Sequence, residues 1–239
     1  MKNIFKNAFN ILYLILIILI CFTYITIDYK TRYDSSAVKL SLVILVAIYV
    51  FIHALKYITK KKDMKINVFY ILAISFTLTS DVFLLIIDDY YHIALTTFII
   101  AHLSYSFAIY YLDDKRSQKR LIIEKSLILV IGIITFIITK ESLAFLASIY
   151  ACLLVMNFIN SLILFIKTKT YYALLLTIGF ILFIGCDICV LLSNLYQFVD
   201  ETNEIIKIEN KAECIIWIFY GPSQYFLGLS INRGDNNEE

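Results

Sequence analysis

Charged residues are scarce in this sequence, which has 17% Asp, Glu, Lys and Arg against 61% hydrophobic residues. The mean hydropathy is +0.81. A soluble protein of 239 residues could not cover its surface with so few charges. The composition therefore predicts an integral membrane protein whose solvent is the lipid bilayer.

Glycine and proline are scarce as well, with six glycines and one proline, Pro222. Transporters often interrupt their helices with such residues near the middle of the membrane. The scarcity therefore argues against a carrier built from broken helices. Pro222 itself predicts a kink in the helix that contains it.

Eight apolar stretches are each long enough for a helix that crosses the hydrocarbon, which takes about 20 residues. The sequence thus predicts an all-α fold, a polytopic membrane helix bundle with about eight transmembrane helices in a single transmembrane domain, 1–239. The connections are short and leave no room for a nucleotide-binding domain or for a domain that binds nucleic acid. The eight stretches are about 9–27, 38–58, 66–87, 93–112, 121–138, 142–166, 171–193 and 212–231.

Lysine and arginine are distributed unevenly among the connections. Most of the 21 fall at the N-terminus and in every second connection, with clusters at 56–65 and 115–125. Because basic residues favour the cytoplasmic side, we expect a multi-pass protein of the cell membrane with both termini in the cytoplasm.

Histidine is too rare to suggest a zinc hydrolase, since only His53, His92 and His102 occur. The first is predicted near the cytoplasmic end of a helix and the second in an outer connection, so three histidines do not converge on one metal. Cys186 and Cys189 have redox or zinc spacing, but they lie inside an apolar stretch, where thiols behave as small hydrophobes. We expect neither a metal nor a cofactor.

Two acidic residues, Asp81 and Asp187, lie inside predicted spans. A charge near the bilayer centre costs about 2.5–3.5 kcal/mol, so each acid requires a functional explanation. Both lie about six residues, or about 9 Å, below the outer end of a helix. If the two helices are neighbours, the carboxyl groups meet in one cavity, and repulsion leaves one of them protonated at neutral pH.

Further polar residues occur in other spans. His102 and Tyr105 share one helix face, and Tyr220 and Gln224 share another, while Asn157 lies in the span 142–166. Each of them could also serve only to hydrogen-bond one helix to the next. Together they favour a polar layer that surrounds the two acids.

The segments around the two acids resemble each other. Ser80-Asp81-Val82-Phe83-Leu84-Leu85 aligns with Cys186-Asp187-Ile188-Cys189-Val190-Leu191. The similarity suggests two four-helix halves that are parallel repeats.

Four short segments, 80–84, 100–105, 183–187 and 220–225, carry a resemblance to known proteins. Together they resemble the YhhN family, whose animal relatives are lysoplasmalogenases. The family usually has Gly-Asp in the first segment and Ser-Asp in the third, whereas this chain has Ser80 and Cys186. Lys39, Tyr150 and Met156 also match family positions, although Leu40 replaces the proline that usually follows the lysine. The four segments are Ser80-Asp81-Val82-Phe83-Leu84, Ile100-Ala101-His102-Leu103-Ser104-Tyr105, Phe183-Ile184-Gly185-Cys186-Asp187 and Tyr220-Gly221-Pro222-Ser223-Gln224-Tyr225.

The resemblance implies a hydrolase that cleaves the vinyl ether bond of a lysoplasmalogen, releasing a fatty aldehyde and glycerophospho-ethanolamine or -choline. The substrate is thus a lysophospholipid. Asp81 and Asp187 would be the catalytic residues, one as acid and the other as base, as pairs of carboxyl groups are in glycosidases. The expected residues for binding or orienting the substrate are Lys39, which would meet the phosphate, and His102, Tyr105, Asn157, Tyr220 and Gln224.

Two other functions remain as alternatives. A proton-coupled transporter would use Asp81 and Asp187 to relay protons or to bind a cation, and its activity would depend on a pH gradient, which a hydrolase does not need. A helix bundle without catalytic activity is the other alternative. Two acids at the same depth argue against it.

Overall fold

The computed structural model describes residues 36–57, 61–87, 89–113, 117–194 and 203–231, together with some residues between 13 and 26. The described residues form seven long helices and contain no strand. The helices are α1 (Ser36–Tyr57), α2 (Lys61–Val82), α3 (Tyr91–Leu112), α4 (Gln118–Thr139), α5 (Ser142–Thr168), α6 (Tyr171–Ser193) and α7 (Asn203–Leu229).

The all-α membrane architecture is confirmed, but the count of about eight spans is not. Among the described residues, six helices are long and apolar enough to cross a membrane, namely α1 to α6. The predicted span 9–27 falls largely outside the described residues. The helix α7 covers most of the last predicted span, 212–231, but it is not one of the six.

The helix α7 differs from the prediction at its start. We expected residues 194–211 to form a connection, whereas α7 already begins at Asn203. Its first turns are rich in Glu, Lys, Ile and Ala, residues with moderate to good helix propensity, so the helix can begin before the apolar segment. The second half includes Pro222, Ser223 and Gln224, which lower its mean hydropathy while facing other helices rather than lipid.

Six of the helices form a closed ring. Each helix contacts the next in the order α1, α2, α3, α5, α6 and α7, and α7 contacts α1. The helices α2 and α6, which carry the two acids, do not pack along each other but lie on opposite sides of the ring. The acids therefore approach through the interior of the bundle, not across a contact between neighbouring helices.

The helix α4 lies outside this ring and packs mainly on α5. Most of its surface is apolar and exposed, including Ile123, Leu127, Ile134 and Ile138. In water, an apolar patch of this size would promote association. In a bilayer, the same surface is solvated by lipid chains.

The helices α6 and α7 approach each other closely at Gly179. A Cβ atom at this position would lie 2.7 Å from Leu227 Cγ and 3.1 Å from the Leu227 backbone nitrogen. Because a backbone atom cannot move aside as a side chain can, only glycine fits here without shifting α7.

Gly179→Ala should therefore lower the thermal unfolding temperature of the protein in detergent. Overpacking of a close contact costs about 1–3 kcal/mol. Gly185→Ala on the same helix is the control, because the nearest atoms to its new Cβ would be those of the Phe219 ring, at 3.0 Å or more, and not a backbone atom. Equal loss of stability in the two variants would contradict this view of the contact.

Candidate active site

Asp81 lies near the end of α2 and is 3% exposed. The Tyr220 hydroxyl of α7 reaches both carboxyl oxygens, at 2.7 Å from Oδ1 and 2.6 Å from Oδ2. The neighbouring Ser80 donates a hydrogen bond of 2.6 Å to the Ala94 carbonyl and so ties this turn to α3. Directly after Asp81 the helix widens into a π-helical turn, Phe83–Ile87, a feature frequent at functional sites.

Asp187 of α6 is half-buried and is paired with a different tyrosine. The Tyr150 side chain of α5 lies beside its carboxyl group and is also near Asp81. Cys186, which directly precedes Asp187 on α6, is buried in the same region. Two acid–tyrosine pairs, contributed by four helices, thus lie in one region of the bundle interior.

His102 lies beside these two pairs. Its ring packs edge-on against Tyr150 and Phe183, with ring centroids 5.2 Å apart in each case. The side chain is buried, and Nδ1 has no hydrogen-bond partner among the described residues. A buried imidazole of this kind can donate or accept a hydrogen bond from a bound molecule, depending on its tautomer.

Gln224 is the second buried polar group near the acids. It is one helical turn beyond Tyr220 on α7 and is completely buried. Neither Oε1 nor Nε2 has a hydrogen-bond partner in the part of the chain that the structure describes. Leaving a buried amide without partners costs about 1–3 kcal/mol, so a bound water or ligand is the natural partner.

The contacts of Tyr105 and Asn157 are with residues other than the two acids. The Tyr105 ring packs against Tyr70 and Phe180, with centroid distances of 6.0 and 5.5 Å. Asn157 Nδ2 donates a hydrogen bond of 2.8 Å to the His102 carbonyl. These two residues therefore support the helix that carries His102.

A buried polar cluster extends from Asn157 towards α4. Asn157 Oδ1 accepts a hydrogen bond of 2.5 Å from Ser106 Oγ, which itself accepts one of 2.7 Å from the Lys125 ammonium. A lysine inside a membrane span requires such polar partners. The cluster joins α3, α4 and α5 one helical turn from His102.

Lys39 is connected to the acids through aromatic residues. Its ammonium lies 5.6 Å from the centroid of the Trp217 ring. The indole packs edge-on against Tyr220, at 5.0 Å between centroids, and Tyr220 binds Asp81. Lys39 is near the start of α1 and therefore lies at the end of the bundle that is closest to the acids.

The two thiols with redox spacing, Cys186 and Cys189, are both free and buried in α6. Within the described ranges, no group of three His, Cys, Asp or Glu side chains could hold a metal ion. Cys186 directly precedes Asp187 in the chain.

Sequence reasoning did not identify Tyr150 or Trp217 as site residues. Tyr150 stood out only as a match to a family position, because the spacing along α5 does not show which helix it faces. Trp217 had a clearer signal, since it precedes Tyr220 by three residues and therefore shares its face of α7.

Comparison with known protein families gives a match over most of the chain. The model of the YhhN family matches residues 34–231, which span all seven described helices. No curated protein and no solved structure matches the chain significantly.

Asn157→Leu should lower the free energy of unfolding by about 1–3 kcal/mol, because it removes the two buried hydrogen bonds that join Asn157 of α5 to the His102 carbonyl and the Ser106 hydroxyl of α3. Ser161→Ala is the matched control on α5, since the Ser161 hydroxyl bonds the Phe158 carbonyl of its own helix. Denaturant titration in detergent micelles measures both. An Asn157→Leu protein as stable as Ser161→Ala would show that the cluster does not hold the helices together.

Proposed function

Because the chain belongs to the YhhN family, we propose that it is a membrane-embedded hydrolase that cleaves the vinyl ether bond of lysoplasmalogens. The observation that carries the proposal is the pair of carboxyl groups, Asp81 and Asp187, which lie in one interior region, each beside its own tyrosine. The products would be a fatty aldehyde and a glycerophospho-ethanolamine or -choline. The protein would act in the cell membrane, with both termini in the cytoplasm.

Asp81 is the proposed proton donor. A tyrosine hydroxyl has one proton, yet Tyr220 makes short contacts with both oxygens of Asp81. Both contacts can be two-centre hydrogen bonds if the carboxyl group carries a proton and donates it back to the Tyr220 oxygen. The deep burial of Asp81 favours this neutral form.

Asp187 is the proposed base. It is more exposed than Asp81, so a water molecule can reach it. Asp81 would give its proton to the alkene carbon remote from the ether oxygen, which creates an oxocarbenium ion as in glycoside hydrolysis. Water would then attack the carbon bonded to that oxygen while Asp187 takes up the proton, and a hemiacetal would form.

The hemiacetal then decomposes with the roles of the two acids reversed. Asp81, now ionised, takes the proton of the hemiacetal hydroxyl, and Asp187 gives its proton to the departing glycerol oxygen. The carbon–oxygen bond breaks, the aldehyde leaves, and both carboxyl groups return to their starting states. Water is the only co-reactant, and no proton from elsewhere is needed.

The surrounding polar groups support this chemistry. His102 and Gln224 offer unpartnered hydrogen-bonding atoms for the attacking water or the ether oxygen. Lys39 would bind the phosphate as a point charge. The lipid would therefore enter at the end of the bundle where α1 begins, which the basic connections predict to be the outer side.

A proton-coupled transporter is the second candidate, and one observation favours it. Buried polar groups continue beyond His102 through Asn157 and Ser106 to Lys125, so they could extend a proton path from the acids. A pH gradient imposed on liposomes that contain the protein would drive solute or proton flux if this were the function. A hydrolase would form aldehyde without any gradient.

The proposal predicts that detergent-purified protein releases free aldehyde from an alkenyl-glycerophosphoethanolamine. Asp81→Asn and Asp187→Asn should each lower the rate by about 10²–10⁴-fold, the usual contribution of general acid–base catalysis. Aldehyde is measured by derivatisation and mass spectrometry.

Asp113→Asn is the control for these variants. Asp113 lies at the opposite end of the bundle and pairs with Lys167 at 3.0 Å, so its loss should leave the rate near that of the wild type. Full activity in a folded Asp81→Asn or Asp187→Asn protein would overturn the mechanism. No aldehyde from folded wild-type protein would overturn the reaction itself.

A further inference from the structure

We propose that Trp217 recognises the cationic head group of the lysophospholipid, and that Lys39 moves from the indole to the lipid phosphate when the substrate binds. The inference rests on the proposed function, but it concerns a different part of the molecule, the region beyond Tyr220. It makes Trp217 a residue that determines head-group preference.

The first support is that a cation already occupies the face of this ring. The Lys39 ammonium lies 5.6 Å from the indole centroid, within the range of a cation–π interaction, for which tryptophan is the best aromatic partner. The contact shows that the ring face accepts a positive charge. It joins the start of α1 to α7 at the end of the bundle closest to the acids.

The second support is the position of the ring relative to the acids. Trp217 contacts Tyr220, and Tyr220 binds Asp81. In a lysoplasmalogen, the vinyl ether oxygen, the glycerol, the phosphate and the head-group cation follow one another in that order. With the vinyl ether at Asp81, the phosphate and the cation extend away from it, and Lys39 and Trp217 lie beyond Tyr220 on the way out of the bundle.

The third support is the chemistry of the two partners. An ammonium group with three donors suits phosphate oxygens. A trimethylammonium group has no hydrogen-bond donor, so an aromatic face is its best protein partner. A zwitterionic head group can therefore exchange places with Lys39: its phosphate pairs with the lysine, and its cation replaces the lysine over the indole.

The exchange implies a preference among lipids. A head group without a cation would draw Lys39 to its phosphate. The indole would then have no cation over its face, because the lysine would have left and nothing would replace it. Lipids with choline or ethanolamine should therefore bind more tightly than a lipid with a bare phosphate. A cation–π interaction corresponds to a difference of about 2- to 30-fold in affinity.

Intrinsic fluorescence tests this directly, because Trp217 is the only tryptophan in the chain. Wild-type protein in detergent is titrated with 1-O-alkyl lysophospholipids, whose saturated ether has no vinyl bond to hydrolyse. The three probes have choline, ethanolamine and bare phosphate head groups. We expect saturable fluorescence changes, with the bare phosphate lipid binding about 2- to 30-fold more weakly.

Two variants separate the contributions. Lys39→Met should weaken binding of all three lipids, because each contains a phosphate. Asp81→Asn should keep the order of affinities, because the head group does not touch the acid. Wild-type protein that shows the head-group preference but releases no aldehyde from a lysoplasmalogen would contradict the hydrolase proposal alone, so the two proposals fail independently.

Trp217→Leu and Trp217→Phe complete the test. The readout is the ratio of affinities between the choline and bare phosphate lipids, measured by calorimetry, because a merely structural change would weaken both lipids alike. Leucine should abolish the preference, whereas phenylalanine should restore part of it. Equal affinity of wild-type protein for all three lipids, or an unchanged preference in Trp217→Leu, would overturn the inference.

Discussion

A carboxyl group inside a membrane needs a protein partner, because lipid chains offer no hydrogen bonds and a charge there is costly. Asp81 finds this partner in Tyr220, which reaches both of its oxygens. The contact fixes the rotation of α7 relative to α2 and turns both polar faces into the ring. Much of the interior arrangement follows, since Trp217 and Gln224 share the face of α7 that carries Tyr220.

The ring then explains how two acids can act together without being neighbours. The helices α2 and α6 lie on opposite sides of the interior, where Tyr220 of α7 binds Asp81 and Tyr150 of α5 lies beside Asp187. Each acid therefore has its own partner and its own degree of burial. Unequal surroundings are what a reaction with one acid and one base requires.

The sequence predicted those features that depend on single residues or on local composition. The apolar stretches predicted six of the helices within a few residues, and the cost of a buried charge singled out Asp81 and Asp187. The pairing of Tyr150 with Asp187 depends on helix rotation, which hydropathy does not determine. The start of α7 at Asn203 depends on helix propensity outside the apolar segment, so a search for apolar stretches misses it.

The central claim is that Asp81 protonates a carbon atom of the substrate. Mass spectrometry of the aldehyde formed in D₂O tests this most directly. A fluorinated aldehyde added to the same solution shows whether an aldehyde exchanges hydrogen with the solvent after it has formed. If Asp81 is the proton donor, the aldehyde carries one deuterium on the carbon next to the aldehyde group, and this product is lost in Asp81→Asn. Aldehyde without deuterium at that carbon, or labelled aldehyde formed by Asp81→Asn at the wild-type rate, would contradict it.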